Sequence, residues 1–150
     1  MDIKSKERRS ENMAKIRSKN TKPELLIRSL LHKRGLRFRV NYNDVVGKPD
    51  LYFTKKKVAV FVHGCFWHRH KDCKIAYTPK SNLDFWQRKF DSNVQRDSVV
   101  RTALLSEGIR ILVIWECTVK RMAHSTEESE RVIEAAVGFI TGNEYNYLEL

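Results

Sequence analysis

The sequence predicts an α/β fold, a mixed sheet flanked by helices, and three observations lead there. Val58–Val62 is apolar throughout, as a strand buried on both faces is. Arg110–Trp115 (RILVIW) reads the same way. A long segment with helix start and stop signals separates the two, which makes them the parallel strands of a βαβ crossover.

The elements follow in order. Thr21 opens a first helix as N-cap, with Pro23 inside the first turn and Glu24 three residues on as its capping-box partner. Leu25, Leu26, Ile27, Leu30 and Leu31 supply the apolar face, and Gly35 ends it. Leu36–Val40 (LRFRV) alternates with period two and predicts a strand. The turn Gly47-Lys48-Pro49 leads into a second strand, Asp50–Phe53, and the lysines at 55–57 form a hairpin tip before the third, Val58–Val62. Ser81, with Asp84 three on, predicts a capping box for a long helix reaching Glu107, where Gly108 stops it. After the fourth strand, Ser125 and Glu128 open a last helix. Its stripe is Val132, Ile133, Ala136 and Ile140, and Gly142 stops it.

At 150 residues the chain is long enough for one domain with its own core. No apolar run approaches the roughly 20 residues of a membrane span. The charged start, MDIKSKERRS, lacks the apolar stretch of a secretory signal, so a cytoplasmic protein is expected. Net charge is +11, and residues 1–40 hold 13 Lys and Arg against 4 Asp and Glu, leaving only +2 for the remaining 110. The expected organisation is a basic arm, 1–20, ahead of a single domain, 21–150. Charge gathered at one end points to a nucleic-acid backbone; the bland reading is a solvated basic surface.

The stretch VAVFVHGCFWHRHKDC holds three histidines and two of the chain's three cysteines. Cys65 follows the third strand and Cys117 the fourth, so parallel strands deliver both thiols to one edge of the sheet. With His70 and Cys73 they make a Cys3His set, the composition of a closed structural zinc site. His63 and His68 lie close by as competing ligands; the short chelate with Cys73 favours His70. Buried structural cysteines with incidental histidines are the alternative.

Asp50 begins a strand after Pro49, and Phe61-Val62-His63 ends the next one. This layout resembles the restriction-endonuclease-like PD-(D/E)xK core, in which a hard oxygen ligand holds Mg²⁺ beside a scissile phosphate. The second acid and the lysine of that motif are absent, with Phe61 and His63 in their places. The blocks RSENMAKIRSKNTKPE, GKPDL, VFVHGCFWHRHKDC, FWQRKFDSNVQRD and RILVIWEC cover residues 9–117. They resemble one subfamily of that fold, the very short patch repair (Vsr) endonucleases, which nick DNA at T:G mismatches.

The resemblance implies roles residue by residue. Asp50 and the backbone carbonyl of Val62 correspond to Mg²⁺ ligands, and His68 to the histidine that activates water. His63, Asp97 and Glu24 correspond to supporting active-site residues. Cys65, His70, Cys73 and Cys117 correspond to zinc ligands. Phe66, Trp67 and Trp86 correspond to an aromatic wedge entering the duplex, with the rings of Trp67 and Trp86 expected to be largely exposed in the free protein. Met13, Lys15, Arg17 and Lys19 of the arm, and Lys89, Asn93 and Arg96 of the long helix, are the implied DNA contacts. The family often carries an unbroken histidine run where this chain reads His-Arg-His-Lys-Asp-Cys.

The implied activity is Mg²⁺-dependent nicking of double-stranded DNA 5′ to the mismatched T, by a monomer acting at the nucleoid. A cytosine-5 DNA methyltransferase is the implied functional partner, and a MutL-type repair factor a further one. Plainer readings stand beside these: Glu24 as a helix cap, Asp97 as a surface ion pair with Arg96, and Trp86 as core beside Phe85 and Phe90. Two other functions fit the same residues, a non-catalytic zinc-stabilised DNA-binding module and a zinc hydrolase using His63 and His68.

Overall fold

The computed structural model describes residues 19–150. Met13, Lys15 and Arg17 lie outside the described residues, while Lys19 is exposed at their start. The elements are α1 (Lys22–Lys33), β1 (Arg39–Val40), β2 (Leu51–Phe53), β3 (Val58–His63), α2 (Leu83–Ser106), β4 (Arg110–Trp115), α3 (Glu116–His124), α4 (Thr126–Thr141) and β5 (Tyr147–Glu149). The strands form one mixed sheet in the order β1-β2-β3-β4-β5. β1, β2 and β3 pair antiparallel; β3, β4 and β5 pair parallel. The α/β class and the parallel crossover between residues 58–63 and 110–115 are as the sequence predicts.

Period-two alternation in β3 and β4 divides the core into two layers. Val58, Val60, Leu112 and Ile114 point to one face, where they pack with Ile27 and Leu31 of α1, Val119 and Met122 of α3, and Val132, Ile133, Ala136 and Ile140 of α4. Ala59, Ile111, Val113 and Trp115 point to the other, against Leu104 of α2 and Cys65. Burying each large apolar side chain contributes roughly 1.5–3 kcal/mol, so the central strands anchor the whole fold. No helix among the described residues is long and apolar enough to cross a membrane.

Two caps match the sequence reading: the Thr21 side chain accepts from the Glu24 N–H at 3.4 Å, and Ser125 from the Glu128 N–H at 3.2 Å. Others differ. The long helix is capped not by Ser81 but by Asn82, which sits in the left-handed region at φ 55° with no side-chain capping bond. Asparagine tolerates that region better than most residues. The strand predicted over 36–40 shrinks to Arg39–Val40. The Leu36 N–H donates to Leu31 O and the Arg37 guanidinium to His32 O, which ties this stretch to the end of α1 and away from the ladder. Helix α3 and strand β5 were not predicted. The first follows β4 with no intervening turn residue, and the second has only three residues.

Candidate active site and metal centre

The parallel pairing sets His63 opposite Trp115, so the loops after β3 and β4 meet at one edge. β2 pairs with β3 only from Val58 to Val60. Beyond that point the Asp50 side chain replaces the ladder: its Oδ2 accepts the Val62 N–H at 2.7 Å. The N–H and C=O of one strand residue project to the same side, so the Val62 carbonyl faces the Asp50 side as well. Burial pushes the Asp50 carboxyl up to about 7, the Val62 hydrogen bond opposes this, and the nearby Glu24 raises it further. A half-buried carboxylate beside a second acid and a carbonyl is the donor chemistry of a hard divalent cation. Glu24 is itself buried, accepting from the Asn20 N–H at 2.8 Å and from Arg28 at 3.4 Å, so it does more than cap α1.

Across the cleft, His68 Nδ1 lies 2.7 Å from Asp97 Oδ2. An ionised carboxylate only accepts, so Nδ1 carries the proton and Nε2 remains as a base. Asp97 therefore faces His68, and no ion pair with Arg96, the plainer alternative, is present among the described residues. The His63 ring stacks on His68 with centroids 3.8 Å apart and planes at 2°. Burial, reinforced by His68, holds His63 far down, at about 3, so its ring stays neutral. One ligand atom from each of His63, His68 and Asp97 lies within 4.8 Å of the others, so this cluster offers a second set of donors for a metal ion. Glu24, Asp50, Val62, His63, His68, Arg96 and Asp97 all line a single cleft of about 560 Å³.

Behind the cleft, one ligand atom from each of Cys65, His70, Cys73 and Cys117 lies within 4.8 Å of the others. His70 Nδ1 is 3.5 Å from the Cys65 sulfur and 3.4 Å from that of Cys117. Tetrahedral zinc with bonds of about 2.3 Å to sulfur and 2.0–2.1 Å to nitrogen separates those atoms by roughly 3.5 Å, so the donor set and its spacing fit the metal. Burial pushes the Cys65 thiol up to about 12, an acidity that a bound cation reverses. The Cys117 N–H donates to the Cys65 sulfur at 3.4 Å, and the Cys65 N–H to Glu116 Oε1 at 3.2 Å.

The loop after β3 and the start of α2 share an aromatic cluster. Phe66 meets Trp67, Tyr77, Trp86 and Phe90 at centroid distances of 5.1 to 5.5 Å. Phe66, Trp67 and Trp86 are half-buried, which corrects the expectation of largely exposed rings for the two tryptophans. Each shields the others, while Tyr77 and Phe85 extend the cluster into solvent at 64% and 55% exposure. Asn93, expected as a DNA contact, donates to the Trp67 carbonyl at 3.1 Å, while Lys89 and Arg96 are exposed.

Sequence reasoning missed two supports. Arg69 donates to the carbonyls of Phe66, Ala76 and Tyr77 at 3.0 to 3.2 Å and lies 3.8 Å over the Phe90 ring. Its place in the departure from a histidine run was the available signal. Trp115 stacks on His70 at 4.1 Å, edges onto His63 at 5.4 Å and donates to Glu149 Oε1 at 2.9 Å. Its place in the Trp-Glu-Cys run that ends the RILVIWEC block was the available signal.

A mixed α/β sheet brings a carboxylate, an Asp–His pair and a thiol-rich cluster together, donor groups of the kind hydrolytic metal enzymes use. Residues 1–75 match the family described as DNA mismatch endonuclease Vsr. The chain is 49% identical over 113 residues to Type II nicking enzyme V.XorIIP of Xanthomonas oryzae pv. oryzae, covering 75% of this chain and 82% of that one. It is 44% identical over 132 residues to Type II nicking enzyme V.NmeAIP of Neisseria meningitidis, covering 88% and 94%. It is 36% identical over 139 residues to the DNA mismatch endonuclease Vsr of Escherichia coli, covering 91% and 88%. The protein belongs to the Vsr family and is a nuclease.

Proposed function

We propose that the protein nicks double-stranded DNA 5′ to the T of a T:G mismatch by Mg²⁺-dependent phosphodiester hydrolysis. The observation that carries this reading is the convergence of Asp50, Val62, His63, His68 and Asp97 on one cleft. His68 Nε2 takes the proton of the attacking water, and Asp97 holds the ring and stabilises the imidazolium that forms. His63, kept neutral by burial, supports His68 without adding a competing charge. Asp50 and the Val62 carbonyl would hold Mg²⁺, with Glu24 beside them. When bound, the ion polarises the phosphate and offsets its developing charge. Cys65, His70, Cys73 and Cys117 would hold a structural Zn²⁺ that shapes the loop carrying His68.

Phe66, Trp67 and Trp86 then enter the duplex beside the mismatch, where unstacking costs least. The basic arm, residues 1–20, lies across the minor groove through Met13, Lys15, Arg17 and Lys19. The domain over 21–150, with its restriction-endonuclease-like core, carries Lys89, Asn93 and Arg96 toward the DNA. The setting is the bacterial cytoplasm, downstream of a cytosine-5 methyltransferase whose deaminated product is a T:G pair, with a MutL-type factor as a further partner. All three cysteines gather with His70, leaving none for an open site with His63 and His68, which counts against the zinc hydrolase, and the Asp97–His68 pair counts against a non-catalytic binding module. A panel of labelled duplexes bearing T:G, T:A or C:G at one position tests the reading. Nicking of T:G alone, only with Mg²⁺ present, is expected; equal nicking of all three overturns the specificity.

A further inference from the structure

We propose that Lys48 is a catalytic residue whose ammonium contacts the phosphate being cleaved. The inference rests on the nuclease reading above. Lys48 lines the same cleft as Asp50, His63 and His68, and is the one lysine among the described residues that does. The PD-(D/E)xK layout places its lysine on the strand after the aspartate, and here His63 occupies that position. Lys48 lines the same cleft and lies two residues ahead of Asp50 in the chain.

The turn that carries Lys48 is packed against the fold. Lys48 sits at φ 47°, a left-handed conformation that costs a non-glycine residue roughly 1–2 kcal/mol. Such strain persists only where the surroundings over-determine it. Gly47 precedes it at φ 83°, and a Cβ added to Gly47 would collide with the Val100 side chain, so the turn packs tightly on α2. Pro49 follows, fully buried, and the Lys48 N–H donates to Val45 O at 3.1 Å. The acids lining the cleft have partners: Glu24 has Arg28, Asp50 the Val62 N–H, Asp97 His68, and Glu149 Trp115. Arg101 lies 3.7 Å over the Tyr147 ring. The Lys48 ammonium has no partner among the described residues.

The chemistry calls for such a group. Water gives its proton to His68 Nε2 and its oxygen bonds to phosphorus, adding negative charge to the non-bridging oxygens. The P–O3′ bond breaks, its electron pair stays on O3′, and O3′ takes a proton from solvent. A fixed ammonium beside the phosphate stabilises the charge where it builds, the effect of an oxyanion-hole donor.

The test is single-turnover nicking of a T:G duplex at saturating enzyme with Mg²⁺, alongside duplex affinity and thermal melts, for the wild-type, Lys48→Ala and Lys48→Arg proteins. Lys48 is exposed, so neither variant should melt differently. Loss of one such donor predicts a fall of about 10²-fold in the Lys48→Ala rate with affinity within about threefold. Lys48→Arg should recover at least about tenfold, because it restores a cation at the same position. A Lys48→Ala rate within about threefold of wild type, a defect in binding alone, a matching fall in melting temperature, or an arginine variant no faster than the alanine one overturns the proposal. Wild-type protein that does not nick T:G duplexes overturns the nuclease reading itself, and Lys48 with it.

Discussion

Asp50→Asn is expected to stabilise the metal-free fold at pH 8 while abolishing nicking. Burial raises the Asp50 carboxyl from 3.8 to about 7 in the folded protein. Between those values the folded state holds a proton that the unfolded chain has released, so stability falls as pH rises through this window. The loss is complete above pH 7. A tenfold change in proton affinity is worth about 1.4 kcal/mol, which bounds the penalty at about 4 kcal/mol at pH 8. Asparagine removes that charge and keeps an oxygen for the Val62 N–H, which now reaches Asp50 Oδ2 at 2.7 Å. Its amide N–H groups need acceptors in a buried place, which costs about 1–3 kcal/mol. The net gain is then about 1–3 kcal/mol, and at about 2–4 °C per kcal/mol for a chain of this size it reads as several degrees. The assay is thermal melting at pH 5 and pH 8 without Mg²⁺ or chelator, so that zinc is retained. At pH 5 wild-type Asp50 is protonated and the gain should vanish. Added Mg²⁺ should raise the wild-type melt at pH 8 and leave the variant unmoved. A variant that melts below wild type by the same amount at both pH values would refute the reasoning.

Three further outcomes are expected. Cys117→Ser should lower zinc content below one ion per chain and lower the melting temperature, measured by elemental analysis and melts, because it removes the ligand that ties β4 to the β3 loop. Trp67→Ala should weaken T:G duplex binding about ten- to a hundredfold, the worth of one stacked base, with little change for matched DNA; its half-buried ring predicts a stability loss below the roughly 3–5 kcal/mol of a fully buried tryptophan. Arg69→Ala should lower both the melting temperature and T:G-over-T:A discrimination, read by paired melts and binding titrations, since it releases the Phe66 carbonyl and the strand of loop at 76–77 together.

Much of this was legible in the chain itself, and for physical reasons. Val58–Val62 and RILVIW announced central strands because burial on both faces leaves no room for polar residues. Their parallel pairing then brought Cys65 and Cys117 together without any contact being known. Side-chain partnerships across the cleft were not legible. Asp97 sits on a helix between polar neighbours, and only the tertiary approach of the loop after β3 gives it His68. The aromatic cluster was misjudged because edge-to-face packing lets Phe66 and Trp67 share one patch while both stay half-exposed. Helix α3 escaped notice because a helix launched directly from a strand lacks the capping and turn residues by which helices are read.

The central claim is that the Asp97–His68 pair facing Asp50 performs the hydrolysis. The most direct measurement is single-turnover nicking of a T:G duplex by His68→Ala, with duplex affinity and zinc content measured on the same preparation. His68 lies outside the Cys3His set, so zinc and binding should be unchanged. A general base contributes typically 10²–10⁴-fold, and a rate loss in that range is predicted. His68→Ala protein that nicks at the wild-type rate, fully loaded with zinc and bound to its duplex, would contradict it.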